Sequence, residues 1–493
     1  MITMSVVLAA AVETLDSTIA NVALPQMQGE LSASADQIAW VLTSYGIATA
    51  VGMPFAGWAA ERYGRSRILL WATAGFVLAS VFCGLSGSMS QIVIGRLIQG
   101  FIGAALMPLS QAVIIDIYPP NQLARGFALW SSGVVLAPII GPTLGGLISD
   151  TIGWRWVFFI NVPLGAITLL GMLGYMPKSK PKPDKPFDFF GFATFSLAVG
   201  LLQALLDRGN QLDWFDSMEI RIEAIMSVAM FSYFIIHTAT TNSTSFLNRQ
   251  LLTDINYMVG GFAYMVVVSI STLFRAVLPT LLQSLFLFTA LDAGLALGPG
   301  GIGALLGVMS FGWLSKRFDG RGIATAGFIF TGAATWWMMG LNLSADFTHI
   351  ALPGLLQGYG LLLASLPLSI MTFSTLNPNL RNEGSSFFNL FRYLGGSLGI
   401  ALIQTYLAHH TVQAYAKLSE GITVYSENVH AYLPGMLDMQ DPLSHVILSG
   451  EINRQASMIA YVDAFGIMLL ACLVVIPGLL ILRSGRNSTE VTH

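Results

Sequence analysis

Apolar residues run along this chain in long blocks, most of them close to the roughly 20 residues that a helix needs to cross a lipid hydrocarbon core. Read as spans, the blocks fall at 3–25, 38–59, 68–87, 91–116, 126–149, 156–176, 188–206, 220–237, 257–284, 289–314, 323–343, 350–372, 384–408 and 458–482, about fourteen in all. They are far longer than barrel strands and do not alternate polar with apolar, so spanning sheets are excluded. The pattern predicts an all-α polytopic membrane protein. The seventh and eighth blocks are the least sharply defined, and Pro279 interrupts the region of the ninth and tenth.

Composition agrees with that pattern. Of 493 residues, 54% are hydrophobic and 10% charged, against about 25% charged in ordinary soluble proteins. Most of the chain is therefore solvated by lipid. Fifty glycines suit close approach of membrane helices. Cys83 and Cys472 lie in separate apolar blocks, so neither a disulfide framework nor a CxxC-type metal site can be built from them. The first block carries Glu13 and Asp16 and no basic flank, which reads as a retained helix rather than a signal peptide.

Charge sets the expected orientation, because Lys and Arg accumulate in cytoplasmic loops. With the N-terminus placed inside, fifteen of the 23 basic residues fall in cytoplasmic loops or the tail and five on the outer side. Arg96, Arg275 and Arg392 lie within helices. Both termini are then cytoplasmic, as an even span count requires. Two hydrophilic segments stand apart. Lys178 to Pro186 is a basic, proline-rich linker, and His409 to Ser457 is a long polar outer loop. That loop holds His409, His410, His430 and His445, whose spacing is not that of a metal site.

A repeat joins distant parts of the chain. Gly57-Trp58-Ala59-Ala60-Glu61-Arg62-Tyr63-Gly64-Arg65 follows the second block, and Gly312-Trp313-Leu314-Ser315-Lys316-Arg317 follows the tenth. Two basic loops that open alike suggest duplicated halves around a midplane site, the architecture of alternating access.

The same residues carry a resemblance. Gly57 to Arg67 is similar to the loop signature of the major facilitator superfamily, G-x-x-x-[DE]-R-x-G-R-[RK]-x, with Ser66 departing from the usual basic residue. Arg96-Leu97-Ile98-Gln99-Gly100 resembles its R-x-x-Q-G motif. Gly133, Gly141, Pro142, Gly145 and Gly146 resemble its fifth-helix antiporter motif. Leu15 to Pro25, Trp154 to Pro163 and Leu206 to Phe215 are similar to the fourteen-helix drug:proton antiporter branch, the EmrB/QacA-type proteins and EmrB-type ones above all. The resemblance implies the major facilitator fold, two six-helix bundles plus two extra central helices. On this chain that gives a first bundle at 1–176, linker and extra helices at 177–254, a second bundle at 255–482 containing the loop 409–457, and a tail at 483–493.

The resemblance also implies proton-coupled efflux of amphipathic drugs across a bacterial inner membrane, with Asp16 and Arg96 in coupling. Physical reading gives each site an alternative. Asp16 and Glu13 lie one turn apart on nearly the same face, and burying a charge at the bilayer centre costs about 2.5–3.5 kcal/mol. A wet, proton-binding cavity explains them; backbone satisfaction near Pro25 is the plainer reading of Asp16. Arg96 either serves coupling, with Gln99 completing its hydrogen bonds, or snorkels to the interface. Glu61, Arg62, Arg65 and Arg67 are expected to form a charge latch, with Asp116 as candidate partner. Gly133, Gly141, Pro142, Gly145 and Gly146 supply close packing and a bend rather than chemistry. Arg275 and Arg392 are intramembrane charges, functional or paired with an acid such as Asp292.

No GxxxxGK[ST] loop, nucleophile–base pair or ligand cluster is present. The expected energy source is the proton gradient, with no ATP, metal or other cofactor, no enzymatic activity and no nucleic-acid partner. Lipid surrounds the helices, and the resemblance implies a periplasmic adaptor (a membrane fusion protein) and an outer-membrane channel. A dedicated exporter of an endogenous metabolite, such as a siderophore or lipid-like acid, fits the same helices.

Overall fold

The computed structural model describes residues 2–119, 122–177, 179, 181, 186–241, 246–420 and 442–482. Those residues are almost entirely helical, with no strand among them. The first six spans are α1 (Ile2–Glu30), α2 (Ala35–Tyr63), α3 (Arg65–Gly84), the pair α4 (Met89–Gly103) and α5 (Leu106–Ile117), α6 (Leu123–Ile152), and the pair α7 (Trp156–Phe159) and α8 (Asn161–Tyr175). Two further spans follow, α9 (Phe189–Arg208) and α10 (Met218–Thr240). After the short α11 (Arg249–Thr253) come α12 (Ile255–Ser284), α13 (Ala290–Arg317), α14 (Gly320–Met338), α15 (Phe347–Ser374), α16 (Arg381–Glu420) and α17 (Pro442–Leu479).

Thirteen of these spans are long and apolar enough to cross a membrane on length and composition. The fourteenth, α14, is the least apolar, yet it packs along α15 and α17 as an integral bundle member. The blocks at 3–25 and 257–284 run straight through Pro25 and Pro279. A proline removes one donor, and neighbouring helices keep the interrupted backbone satisfied.

The packing pattern repeats between the halves. In the first half α1 lies on α6 and α8, α2 on α4, and α3 on α4 and α8. In the second, α12 lies on α16 and α17, α13 on α15, and α14 on α15 and α17. The halves meet through equivalent pairs, α2 with α16 and α13 with α6. This is the three-dimensional counterpart of the repeated Gly-Trp loop. The hairpin α9–α10 lies outside both halves, with α9 seated on α2 and α16.

Two boundaries differ from the sequence pattern. The outer loop expected at 409–457 is helical at both ends, since α16 continues to Glu420 and α17 begins at Pro442. Residues 409–420 contain no proline or glycine to stop a helix. At 1.5 Å per residue, the 40 residues of α16 extend about 60 Å, twice a hydrocarbon core of about 30 Å. Residues 421–441, which include His430, the linker lysines 178, 180, 182 and 185, and the tail at 483–493 lie outside the described residues.

The core is fused at one end only. One cluster unites both halves near the basic loops, bringing Met107, Phe127 and Trp130 together with Phe311, Phe373 and Phe388. At the opposite end each half has its own cluster, one around Ile19, Val41 and Phe158 and the other around Phe274, Met338 and Phe465. The two bundles are therefore closed together at the basic end.

Candidate functional site

Asp16 sits midway along α1, on the face turned toward α4 and the start of α8. Three polar residues converge on it there. Arg96 Nη1 donates to Asp16 Oδ2 at 2.7 Å, and both side chains are completely buried. The same nitrogen donates to Gln99 Oε1 at 2.7 Å, while Gln99 Nε2 donates to Asp16 Oδ1 at 2.9 Å. The i, i+3 spacing of Arg96 and Gln99 puts both on one face of α4. Asn161 Nδ2 donates to Asp16 Oδ1 at 2.5 Å, and Ser80 Oγ on α3 accepts from Gln99 and Asn161 at 2.8 and 3.2 Å. Arg96 Nε donates to the carbonyl of Val41 at 3.1 Å, and its guanidinium stacks 4.0 Å from the ring centroid of Tyr45. Snorkelling is thereby excluded: Arg96 points inward.

Ser80 and Tyr45 were not singled out from sequence, and Asn161 entered only within the Trp154–Pro163 resemblance, with no role assigned. Asn161 had a visible signal, as a lone amide opening an apolar helix. Ser80 and Tyr45 had none, because a serine or tyrosine in a span is commonplace. Glu13 stands apart from this network. It is 5% exposed, accepts only a long 3.5 Å contact from Thr14 Oγ1, and has no cation within 4.0 Å among the described residues.

At the basic end, Asp116 of α5 bridges the halves. It pairs with Arg65 of α3 and, at 2.9 Å, with Arg381 of α16. Arg65 also donates to Asn382 at 3.3 Å. Behind this pair, Asn389 Nδ2 donates to Gln111 Oε1 at 2.6 Å and Ser385 Oγ to the carbonyl of Pro108 at 2.7 Å. Gly57 makes the seam tight: a Cβ there would lie 2.7 Å from Ser386 Oγ. Gly64 turns α2 into α3 at φ +93°, a conformation that glycine adopts without penalty. Arg62 lies over the rings of Trp58 and Tyr63, Arg67 is exposed, and Glu61 is buried. The seam's second-half member, Arg381, was counted from sequence only as a loop charge. In the repeated loop, a Cβ on Gly312 would meet nothing within 4 Å among the described residues.

α6 continues through Pro142. A Cβ on Gly133 would lie 2.3 Å from Val7 and one on Gly141 2.2 Å from Thr18, while one on Gly145 would touch the α1 backbone at Ile19 at 3.2 Å. Gly146 has only Val22 at 3.9 Å. Gly141→Ala is expected to destabilise by about 1–3 kcal/mol, the usual cost of overpacking, and Gly146→Ala by far less. Thermal unfolding of the two variants in detergent checks this; equal losses would contradict the packing.

Arg275 and Arg392 have no acid within 4.0 Å among the described residues. Arg275 Nη2 donates to Thr272 at 3.4 Å and Arg392 Nε to Asn389 at 3.2 Å. Asp292 instead accepts from Thr289 at the start of α13, so the anticipated pairing with Asp292 does not form.

Fourteen spans among the described residues, twelve in two equivalent bundles closed together at the basic end and two in a hairpin outside them, define a multi-pass membrane transporter. The Major Facilitator Superfamily profile matches residues 6–400, and the chain belongs to that superfamily. It is 34% identical over 471 residues to the multidrug export protein EmrB of Escherichia coli (strain K12), covering 94% of this chain and 91% of that protein. It is 33% identical over 484 residues to the fatty acid resistance protein FarB of Neisseria gonorrhoeae, covering 97% and 94%. The human organic anion transporter MFSD10 (TETRAN) matches with a TM-score of 0.62 at 14% identity, over 96% of this chain and 98% of that one. The proton:xylose symporter XylE matches at 0.60 and 13%, over 95% and 94%. At those identities the structural likeness shows the fold alone.

Proposed function

We propose that this protein exports amphipathic toxic compounds across the bacterial inner membrane in exchange for entering protons. The observation that carries the proposal is the buried Asp16–Arg96 pair with Gln99 and Asn161 around it. Protonating Asp16 has the electrostatic effect of deleting its charge. Arg96 is then left uncompensated in the interior, a penalty of about 3–5 kcal/mol when one partner of a buried pair is lost. A penalty of that size favours rearrangement of α1 against α4, which links proton binding to the motion of the bundle. The membrane potential supplies about 2.3 kcal/mol per charge per 100 mV, enough to drive such a cycle.

We assign both termini to the cytoplasm, the side on which Lys- and Arg-rich loops accumulate. On that assignment the fused end is cytoplasmic, and we read the arrangement as an outward-facing state with its inner gate shut. The relatives' names support small-molecule export. The parts of α16 and α17 that reach beyond the hydrocarbon core are the surface we assign to a periplasmic adaptor, which would lead to an outer-membrane channel.

A second reading, export of a lipid-like acid, is favoured by Arg275 and Arg392, two intramembrane cations with no acid within 4.0 Å among the described residues. Inverted membrane vesicles separate the two. An imposed pH gradient, acid inside, is expected to drive ethidium uptake that an uncoupler abolishes. Uptake indifferent to the gradient would sink proton coupling. Uptake of a radiolabelled long-chain fatty acid in place of ethidium, lost in Arg392→Gln, would select the second reading.

A further inference from the structure

Besides Asp16 and Glu13, another carboxylate lies inside the spanning region without the pairing that holds Asp16. Asp207, in the last turn of α9, is half-buried where α9 meets α2 and α16. Its neighbour Arg208 is engaged elsewhere. That guanidinium pairs with Glu219 and, at 3.9 Å, with Glu223 on α10, and lies 4.9 Å from the ring centroid of Trp40. No described cation stands within 4.0 Å of Asp207.

What holds Asp207 is an amide. Gln203, one turn earlier and 1% exposed, donates from Nε2 to Asp207 Oδ1 at 2.8 Å and to Ser397 Oγ on α16 at 2.8 Å. Its Oε1 is buried and has no hydrogen-bond partner among the described residues. Turning that amide over exchanges donor for acceptor. The same atoms then receive the acid form, with Asp207 O–H and Ser397 O–H both donating to Oε1. The site accommodates either protonation state without losing a hydrogen bond, whereas Asp16, bound by a guanidinium, does not.

Gly46 on α2 completes the site. A Cβ there would lie 2.7 Å from the Tyr393 hydroxyl of α16 and 3.5 Å from Asp207 Oδ2. Of the titratable groups on the packed elements, Tyr393 of α16 faces Asp207 across Gly46, whereas Tyr45 of α2 turns to Arg96, Arg392 of α16 donates to Asn389, and Glu219 and Glu223 of α10 face Arg208. The Tyr45 hydroxyl is buried without a hydrogen-bond partner among the described residues, and its ring stacks on Arg96.

We propose that Asp207, held by Gln203 and Ser397 and faced by Tyr393, is a second proton-binding site of the transport cycle. It is built where the extra hairpin bridges the two bundles. α2 belongs to one bundle and α16 to the other, so movement between bundles opens and closes this site. The proposal rests on the proton-coupled reading of Asp16 for its role in transport, but not for the proton itself.

Infrared difference spectra of the full-length protein in lipid, acid minus alkaline, read the proton directly. Asp207→Asn is expected to remove one carboxylic-acid carbonyl band, Asp207→Glu and Gly46→Ala to shift it, and the band removed by Asp16→Asn to persist. A spectrum of Asp207→Asn identical to wild type overturns the site. In proteoliposomes, protons released per ethidium should fall to half in Asp207→Asn; an unchanged ratio overturns its part in coupling. Absence of ethidium-linked proton flux in the wild type sinks coupling at Asp16 instead, and the infrared band still decides Asp207.

Discussion

Asp16→Asn should end transport and, made alone, should also destabilise the protein by about 3–5 kcal/mol. Both side chains of the Asp16–Arg96 pair are fully enclosed, so an amide at position 16 leaves a buried guanidinium without a counter-charge. Arg96→Gln errs the other way, leaving a buried carboxylate. The double replacement, Asp16→Asn with Arg96→Gln, removes both charges and keeps amide donors and acceptors beside Gln99 and Asn161. It should recover most of the lost stability, since replacing a whole buried pair is often close to neutral, while transport stays at zero. Thermal unfolding and ethidium efflux, measured on the two singles and the double, separate these effects. A double variant that still pumps would remove the pair from the mechanism.

Gly57→Val is expected to produce the largest change in conformation. The missing side chain of Gly57 is what allows α2 to lie against Ser386 and the carbonyl of Asn382 on α16. Overpacking there costs about 1–3 kcal/mol, charged almost entirely to the state closed at the basic end. A bias of that size shifts populations about 5–150-fold. Asp116→Asn should do much less, because its ion pairs with Arg65 and Arg381 are partly exposed and such pairs contribute about 0.2–1 kcal/mol. A cysteine replacing the buried Gln111 reports the opening, since Cys83 and Cys472 are themselves buried. Faster labelling from the basic side in Gly57→Val is the expected result. Unchanged labelling would mean that the seam between α2 and α16 is not the gate.

Much of this architecture was legible because lipid imposes a strict rule. Every backbone polar group must be satisfied within the span, so each crossing appears as a long apolar block. The blocks located all fourteen spans, including α14, whose apolar character is weakest. Proline misled the reading of length: α1 passes through Pro25 and reaches Glu30. The far ends of α16 and α17 were read as loop because their residues are polar, although polar helices persist in water when nothing breaks them.

The charge sites were legible one by one and illegible as pairs. Asp16 and Arg96 each stood out, since a charge in an apolar block needs a reason, but their contact spans 80 positions. Asp116 was a candidate partner for the second-helix loop; its bridge to Arg381 across 265 positions had no local signal. Asp207 lay within the Leu206–Phe215 motif as part of a pattern, and its isolation from cations became visible only when Arg208 was seen to face α10. Glycine positions behaved similarly. Gly141 and Gly146 look alike in sequence, yet one faces Thr18 and the other nearly open space.

The most direct measurement is proton release from proteoliposomes containing a trapped pH dye, with ethidium added as the transported cation. The wild-type protein should move protons opposite to ethidium, and the Asp16→Asn, Arg96→Gln double variant, folded and reconstituted to the same density, should move neither. Ethidium transport in the wild type with no change in the dye, or proton movement surviving in the double variant, would contradict coupling through the Asp16–Arg96 pair.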